Sequence, residues 1–287
     1  MSLSPTSIRT ILLTSLAMLA FAGNSVLCRL ALKEEAIDPT GYTLLRILSG
    51  AAFLAVLLLL KTPQRARPIL NLGNWPAACA LFIYAATLSF GYINIDTGTG
   101  ALVLFGFVQV SMIMIGVVRG SRLGIAEWAG ISLAFSGLCY MLMPGGDAPD
   151  LGGFLLMAIS GIAWGVYTII GRGSANPLED TAGNFIKACV PALLLTAALY
   201  PNLSMTAQGI ILAVVSGALT SGAGYAIWYA VAGKLLVAQA SVVQLSVPVI
   251  AALGGVVFAA EPITLRFTLA SVLVLGGILL VTLRRNS

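Results

Sequence analysis

The chain has no histidine, four cysteines, and charge on only 9% of its 287 residues, against roughly 25% in soluble domains. Without histidine the usual proton shuttle and the commonest metal ligand are missing, and a rhomboid-like Ser–His dyad cannot form. Cys28, Cys79, Cys139 and Cys189 all fall inside apolar stretches with no CxxC pair. They read as small buried hydrophobes, not as disulfides or metal ligands. The GxGD of intramembrane aspartyl proteases is absent, the nearest run being Gly145-Gly-Asp147 between apolar stretches. Gly98-Thr-Gly100 lacks the third glycine of a dinucleotide loop and follows no strand. No enzyme chemistry and no cofactor are indicated.

What the chain has is apolar length. Apolar residues make up 59% of it, and the mean hydropathy is +1.01 over the whole sequence. A bilayer core takes about 20 apolar residues per helical span, so ten spans would use roughly 200 residues and leave no room for a soluble domain. The net charge of +5 therefore reports orientation and is not a nucleic-acid signal.

Cutting the apolar runs where charge, Pro and Gly cluster predicts spans at 8–32, 40–60, 75–94, 97–118, 124–143, 151–171, 181–201, 206–230, 235–259 and 263–283. Arg9 followed by an apolar run, with Ala20-Phe-Ala22 as a cleavage-like triplet, has the outline of a signal peptide. The apolar character continues to Leu32, however, so a retained first helix is expected. Arg9, Lys61, Arg65, Arg67, Arg119, Arg122, Arg172, Lys234, Arg284 and Arg285 fall on the side of the N-terminus. Arg29, Lys33, Arg266 and most acidic residues fall on the other. The positive-inside rule then places both termini in the cytoplasm.

The sequence also repeats. Slid by 139 residues, Ala101 meets Ala240, Val108 meets Val247, and Gly116-Val-Val118 meets Gly255-Val-Val257. At a shift of 143, Phe21 meets Trp164 and Arg29 meets Arg172. The expected organisation is a first five-helix repeat over 1–146 and a second over 147–287, inverted because the span count is odd. Transporters of that design hold the solute near the midplane, between the halves.

The carboxylates Asp96, Glu127, Asp147, Asp150, Glu179, Asp180 and Glu261 all sit at span ends or in loops. Coupling through a mid-membrane acid is therefore not expected. Arg46 and Lys187 enter the second and seventh spans at near-equivalent positions. Each is open to two readings, snorkelling or helix pairing near a membrane face, and contact with a solute carboxylate. Gln109 and Gln244 fall one turn apart on equivalent helices, with Asn24, Ser25, Thr87, Ser89, Thr168, Ser221 and Ser246 as further polar groups that either line a cavity or bind helices together. Trp75 and Trp128 begin spans as interfacial anchors, whereas Trp164 and Trp228 lie deeper, near Tyr92, Tyr167, Tyr225 and Tyr229. Gly161-Ile-Ala-Trp-Gly165 and Ser216-Gly-Ala-Leu-Thr-Ser-Gly-Ala-Gly224 permit close helix approach or leave space for a ligand. Pro248 frees a backbone carbonyl inside the ninth span.

Ala163-Trp-Gly165, Gly224-Tyr-Ala-Ile-Trp-Tyr229, Ser246-Val-Pro-Val249 and Glu261-Pro262, set in two five-span halves, resemble the EamA type of the drug/metabolite transporter superfamily over essentially the whole chain. The second half is most similar to the YddG-type aromatic amino acid exporters. Tyr225 and Trp228 fall on the aromatics of that branch's Gly-x-x-Tyr-x-x-Trp run. The first half departs from it, with Phe105-Gly-Phe-Val-Gln109 in place of an Asn-Tyr-x-Trp-Pro run and Phe82 in place of a third-span tyrosine.

The resemblance implies an all-α, ten-helix exporter of the bacterial inner membrane, moving amino acids or similar small metabolites by alternating access. Its partners would be a small-molecule solute and membrane lipid, with no nucleic acid, in a monomer. Trp164, Tyr225, Trp228 and Phe82 would supply aromatic wall, and Gln109, Gln244, Asn24 and Ser89 polar contacts. The alternatives are a drug, organic-cation or other metabolite exporter of the same superfamily, and a non-transporting scaffold or accessory subunit.

Overall fold

A computed structural model describes residues 5–61, 68–120, 123–172, 174–232, 235 and 237–284. The basic residues Arg65, Arg67, Arg122, Lys234 and Arg285 used above for orientation lie outside the described residues. The described chain is helical almost throughout, with only an isolated bridge between Ile37 and Met205. The helices are α1 (Pro5–Lys33), α2 (Pro39–Lys61), α3 (Trp75–Gly91), α4 (Thr97–Val118), α5 (Ile125–Leu142), α6 (Leu151–Gly171) and α7 (Pro177–Ala198). There follow α8 (Ala207–Val215), a π-helical run (Ser216–Ala223) and α9 (Gly224–Ala232), which together form the eighth span. The ninth span is α10 (Val237–Gln244) with α11 (Ser246–Ala259), and the tenth is α12 (Leu265–Arg284). Eight segments are long and apolar enough to cross a membrane, and Trp75–Gly91 and Ile125–Met141 are shorter apolar helices. Ten spans is therefore the observed architecture.

Local chemistry sets the ends. Asn74 caps α3 by accepting from the Ala77 amide at 2.9 Å, and Asp150 caps α6 by accepting from the Gly153 amide at 2.7 Å. The seventh helix starts at Pro177, four residues before the predicted span, and ends at Ala198 instead of 201. Pro in the first turn followed by Glu179 and Asp180 is a favourable helix start, but its polarity conceals it from a hydropathy reading. The third helix stops at Gly91, so Tyr92–Asn94 belong to a connection.

Leu60, Val118, Val257 and Phe258 are among many large apolar side chains left exposed, as a lipid-facing surface requires. Trp75 and Trp128 are 52% and 51% exposed at the starts of α3 and α5. Inside, α6 packs on α3 and α4, just as α1 packs on the eighth and ninth spans. Likewise α2 lies on α7, α4 on α11 and α5 on α12. Exchanging the first five spans for the last five preserves these neighbours.

The glycine pairs act through close helix approach. A Cβ on Gly161 would meet the Leu104 carbonyl of α4, and one on Gly165 would lie 3.2 Å from the Val108 carbonyl. On the other side of the bundle, a Cβ on Gly217 would strike the Arg46 carbonyl and the Ser49 hydroxyl of α2. Gly217→Val is expected to lower yield and thermal midpoint sharply, since overpacking that shifts side chains and backbone costs about 1–3 kcal/mol or more, and here the Cβ meets backbone. Size-exclusion profiles and melting curves of the purified variant check this. A midpoint equal to that of the wild type would show that the π-helical run can shift away from α2.

Two irregularities fall in the second half. The π-helical run places Ser216, Gly217, Ser221 and Gly222 in the buried interior. The ninth span breaks at Leu245, whose amide bonds Val242 O at 3.1 Å. Pro248 cannot donate to the carbonyl of Gln244, which accounts for a break at this point.

Candidate functional site at the bundle centre

A small cavity of about 20 Å³ sits between α1, α3, α4, α6 and the eighth span, lined by Phe21, Tyr84, Phe105, Trp164 and Tyr225 together with Asn24, Ser25, Leu88, Leu104 and Thr220. Trp164 is its aromatic hub, with ring centroids 4.8 Å from Tyr84, 4.9 Å from Tyr225 and 5.3 Å from Tyr167. Phe21 stands edge-on to Tyr225 at 5.8 Å and to Trp228 at 6.0 Å. Such tilted and edge-on pairs are the favoured aromatic arrangements.

Polar groups cross this cluster in a chain. Ser216 donates to Asn24 Oδ1 at 2.8 Å, and Asn24 Nδ2 donates to the Tyr84 hydroxyl at 3.2 Å. The same hydroxyl accepts from Arg46 Nη2 at 2.9 Å, and Arg46 Nε reaches the Ser221 hydroxyl at 3.2 Å. Arg46 is 2% exposed and points into the bundle, which corrects the snorkelling reading. Lys187 is different. It donates to the carbonyls of Leu70 and Leu72 and ties the connection before α3 onto α7.

Of the eight residues singled out from sequence, Trp164, Tyr225 and Asn24 line the cavity, and Trp228 packs at its edge through Phe21. The other four do not line it. Ser89 accepts from Thr43 at 2.9 Å and joins α3 to α2. Gln109 is buried with its Nε2 unpartnered, while Gln244 turns back to Ala240 O of its own helix at 3.2 Å. Phe82 packs against the core from a partly buried position, and the third-span phenol is supplied instead by Tyr84. Sequence reasoning missed Tyr84 and Phe21 and held the inward set of Arg46 only as one of two readings. A phenol and a guanidinium inside apolar spans were the available signal, because each needs a partner in hydrocarbon.

One end of the bundle is sealed by charge. Arg29, near the end of α1, donates through Nε to Glu261 Oε1 at 2.8 Å and through Nη1 to the carbonyls of Tyr92 and Ile93 at 2.9 and 2.8 Å. Its Nη2 lies 3.3 Å from Asp96 Oδ1. Glu261 is itself buried, and its Oε2 accepts from the Thr97 amide at 2.8 Å. Lys33 caps the Ala259 carbonyl at 2.7 Å. These contacts bind α1, the α3–α4 connection and the α11–α12 connection together.

Burial holds the Asp96 carboxyl above its ordinary value of 3.8, with the neighbouring Glu261 charge adding to the effect and Arg29 opposing it. A carboxyl raised in the folded state stabilises the protein below its unfolded value and loses that contribution as pH rises through the raised one. The melting temperature of Asp96→Asn, taken relative to wild type, is therefore expected to climb between pH 4 and pH 7. A constant difference across that range would show that Arg29 fully compensates the carboxylate.

Ten apolar helices, an aromatic and charged centre and an ion-paired seal define a polytopic membrane protein built around an interior site. Residues 151–283 match the EamA-like transporter family. The chain is 51% identical over 277 residues to an uncharacterized protein of Pseudomonas aeruginosa, covering 95% of this chain and 94% of that one. It is 28% identical over 213 residues to an uncharacterized transporter of Archaeoglobus fulgidus, covering 71% and 74%. It is 26% identical over 216 residues to a probable terminal-alkyne amino-acid exporter of Streptantibioticus cattleyicolor, covering 72% and 71%. A solved crystal structure superposes with a TM-score of 0.68 at 20% identity, over 96% of this chain and 98% of that one, which shows the fold alone. The chain belongs to the EamA-like transporter family of the drug/metabolite transporter superfamily, and it is a membrane transporter, not an enzyme.

Proposed function

We propose that this transporter exports amino acids or similarly small amphipathic metabolites across the bacterial inner membrane by alternating access. The observation that carries this reading is the cavity, whose walls come from α1, α3 and α4 of the first half and from α6 and the eighth span of the second. Its volume of about 20 Å³ is that of a single water site, against roughly 300–1,000 Å³ for a ligand pocket. Solute entry must therefore separate the halves, and the Arg29–Glu261 contacts close one end of the bundle. Exchange-symmetric packing supports the paired halves 1–146 and 147–287, an odd span count in each makes them inverted, and the excess of Lys and Arg on the side of the N-terminus supports cytoplasmic termini. The aromatic walls favour solutes with an apolar side chain, and one relative is named as a probable amino-acid exporter.

Among the described residues no carboxylate faces the centre, so transport runs down the solute's own gradient. The test is counterflow of a labelled amino acid panel in proteoliposomes. At least one amino acid should exchange above empty liposomes, and exchange should persist with protonophore present. No flux of any amino acid, or strict dependence on an imposed proton gradient, overturns the reading.

A further inference from the structure

Arg46 and Arg29 are both buried, but only one of them is answered. Arg29 has Glu261, Asp96 and two backbone carbonyls. Arg46 has the hydroxyls of Ser221 and Tyr84, and its Cζ stands 5.0 Å from the Tyr84 ring centroid. Those partners are neutral, and among the described residues every ion pair belongs to Arg29. The remaining Arg46 nitrogen, Nη1, is buried and finds no acceptor. The buried hydroxyls of Tyr42 and Tyr225 likewise form no hydrogen bond of normal geometry. The centre thus carries one uncompensated positive charge and a surplus of hydrogen-bond donors.

A guanidinium in apolar surroundings without a counter-ion is strongly unfavourable, and such groups inside membrane spans occur where they serve function. The planar fork of arginine matches a carboxylate at two points. Resting on the export reading, we infer that the transported solute must bear a carboxylate, which pairs with Arg46 as Tyr84 and Tyr225 give way at the cavity wall. Among the described residues no acidic side chain stands at the centre to receive an ammonium group. Among the described residues the cavity offers it aromatic rings and the neutral oxygens of Asn24, Ser25 and Thr220, which hold a cation more weakly than a carboxylate does. The carboxylate is therefore required and the ammonium dispensable, while solutes that are cationic only are repelled by Arg46.

The experiment titrates the purified full-length chain with matched compounds and reads its tryptophan fluorescence and thermal midpoint. One series is L-phenylalanine, 3-phenylpropanoate, L-phenylalaninamide and phenethylamine. The other is L-leucine, 4-methylpentanoate, L-leucinamide and isoamylamine. In at least one series the two acids are expected to act at concentrations about tenfold or more below the amide and amine, the scale set by losing a charge-assisted hydrogen bond. Arg46→Lys should keep the order of preference at weaker affinity, and Arg46→Gln should remove it. Equal responses to acid and amide in both series, absence of any response included, overturn the inference, as does an acid preference that survives in Arg46→Gln. If Arg46→Gln does not fold, the wild-type series decides alone. Flux of the same compounds separates the two readings. Acids that bind but are never carried refute export and leave the carboxylate site, whereas amide or amine carried as fast as the acid refutes the site and leaves export.

Discussion

Replacing Arg29 by Met is expected to lower the thermal midpoint more than removal of any other described charge at that end. Glu261 is 6% exposed, and the change leaves its carboxylate with only the Thr97 amide as partner. Breaking a buried pair from one side costs about 3–5 kcal/mol, because the surviving charge stays desolvated and unpaired. Glu261→Gln should cost less, since Arg29 would still hold Asp96 and the carbonyls of Tyr92 and Ile93. The double variant Arg29→Met, Glu261→Met should recover much of the loss, because no buried charge is then left over. Melting curves of the three variants decide it, and losses that simply add would show that the two side chains act independently. The same substitution should loosen the end that the pair closes. A cysteine placed at Leu88, on the cavity wall, should react with a membrane-impermeant maleimide faster in Arg29→Met than in wild type. Equal labelling rates would show that packing, without the ion pair, keeps this end shut.

Trp164→Ala is expected to cut amino acid exchange in proteoliposomes by about tenfold or more while leaving a folded, monodisperse protein. The indole faces Tyr84, Tyr225 and Tyr167 at centroid distances of 4.8, 4.9 and 5.3 Å. Each such contact contributes on the order of 1 kcal/mol beyond area burial, so its loss frees Tyr225 and the Tyr84 hydroxyl that accepts from Arg46. Trp164→Phe should retain most activity, because a ring remains to hold them. Trp75, half exposed at the start of α3, serves as the control, and Trp75→Ala should leave exchange near wild type. Undiminished exchange in Trp164→Ala, or a loss matched by reduced folding, would assign the indole to packing alone.

The differences between sequence and structure follow from what each registers. Hydropathy measures depth along the membrane normal but not direction around a helix. Phe82 and Tyr84 are both in α3, yet at 3.6 residues per turn they point about 200° apart, so a shift of two positions exchanges core packing for the centre of the site. Arg46 and Lys187 are near-equivalent by repeat alignment, but one meets Tyr84 and Ser221 while the other meets loop carbonyls. The alignment assumes regular helices, and the π-helical run Ser216–Ala223 breaks that assumption by re-aiming every side chain near it. Gln109 and Gln244 illustrate the same limit, for the break at Leu245 leaves Gln244 at the end of a helix and bonded to its own backbone.

Composition alone determined the class and the count. A chain 59% apolar and 9% charged, punctuated by Pro, Gly and charge, can satisfy its backbone in lipid only as a series of helices, and its length allows ten of them. The tryptophans and tyrosines of the sixth and eighth spans were legible as well, because an amphipathic ring deep in hydrocarbon needs a polar partner. Which of two buried arginines is paired, and which is left facing the centre, was decided only by tertiary structure. Glu261 is 232 residues from Arg29, Ser221 is 175 from Arg46, and no local pattern encodes which distant group arrives beside a given charge. That choice rests on how closely the helices approach, set here by Gly217 against the Arg46 backbone and Gly161 against Leu104, and on the irregular turn that brings Ser216 and Ser221 inward.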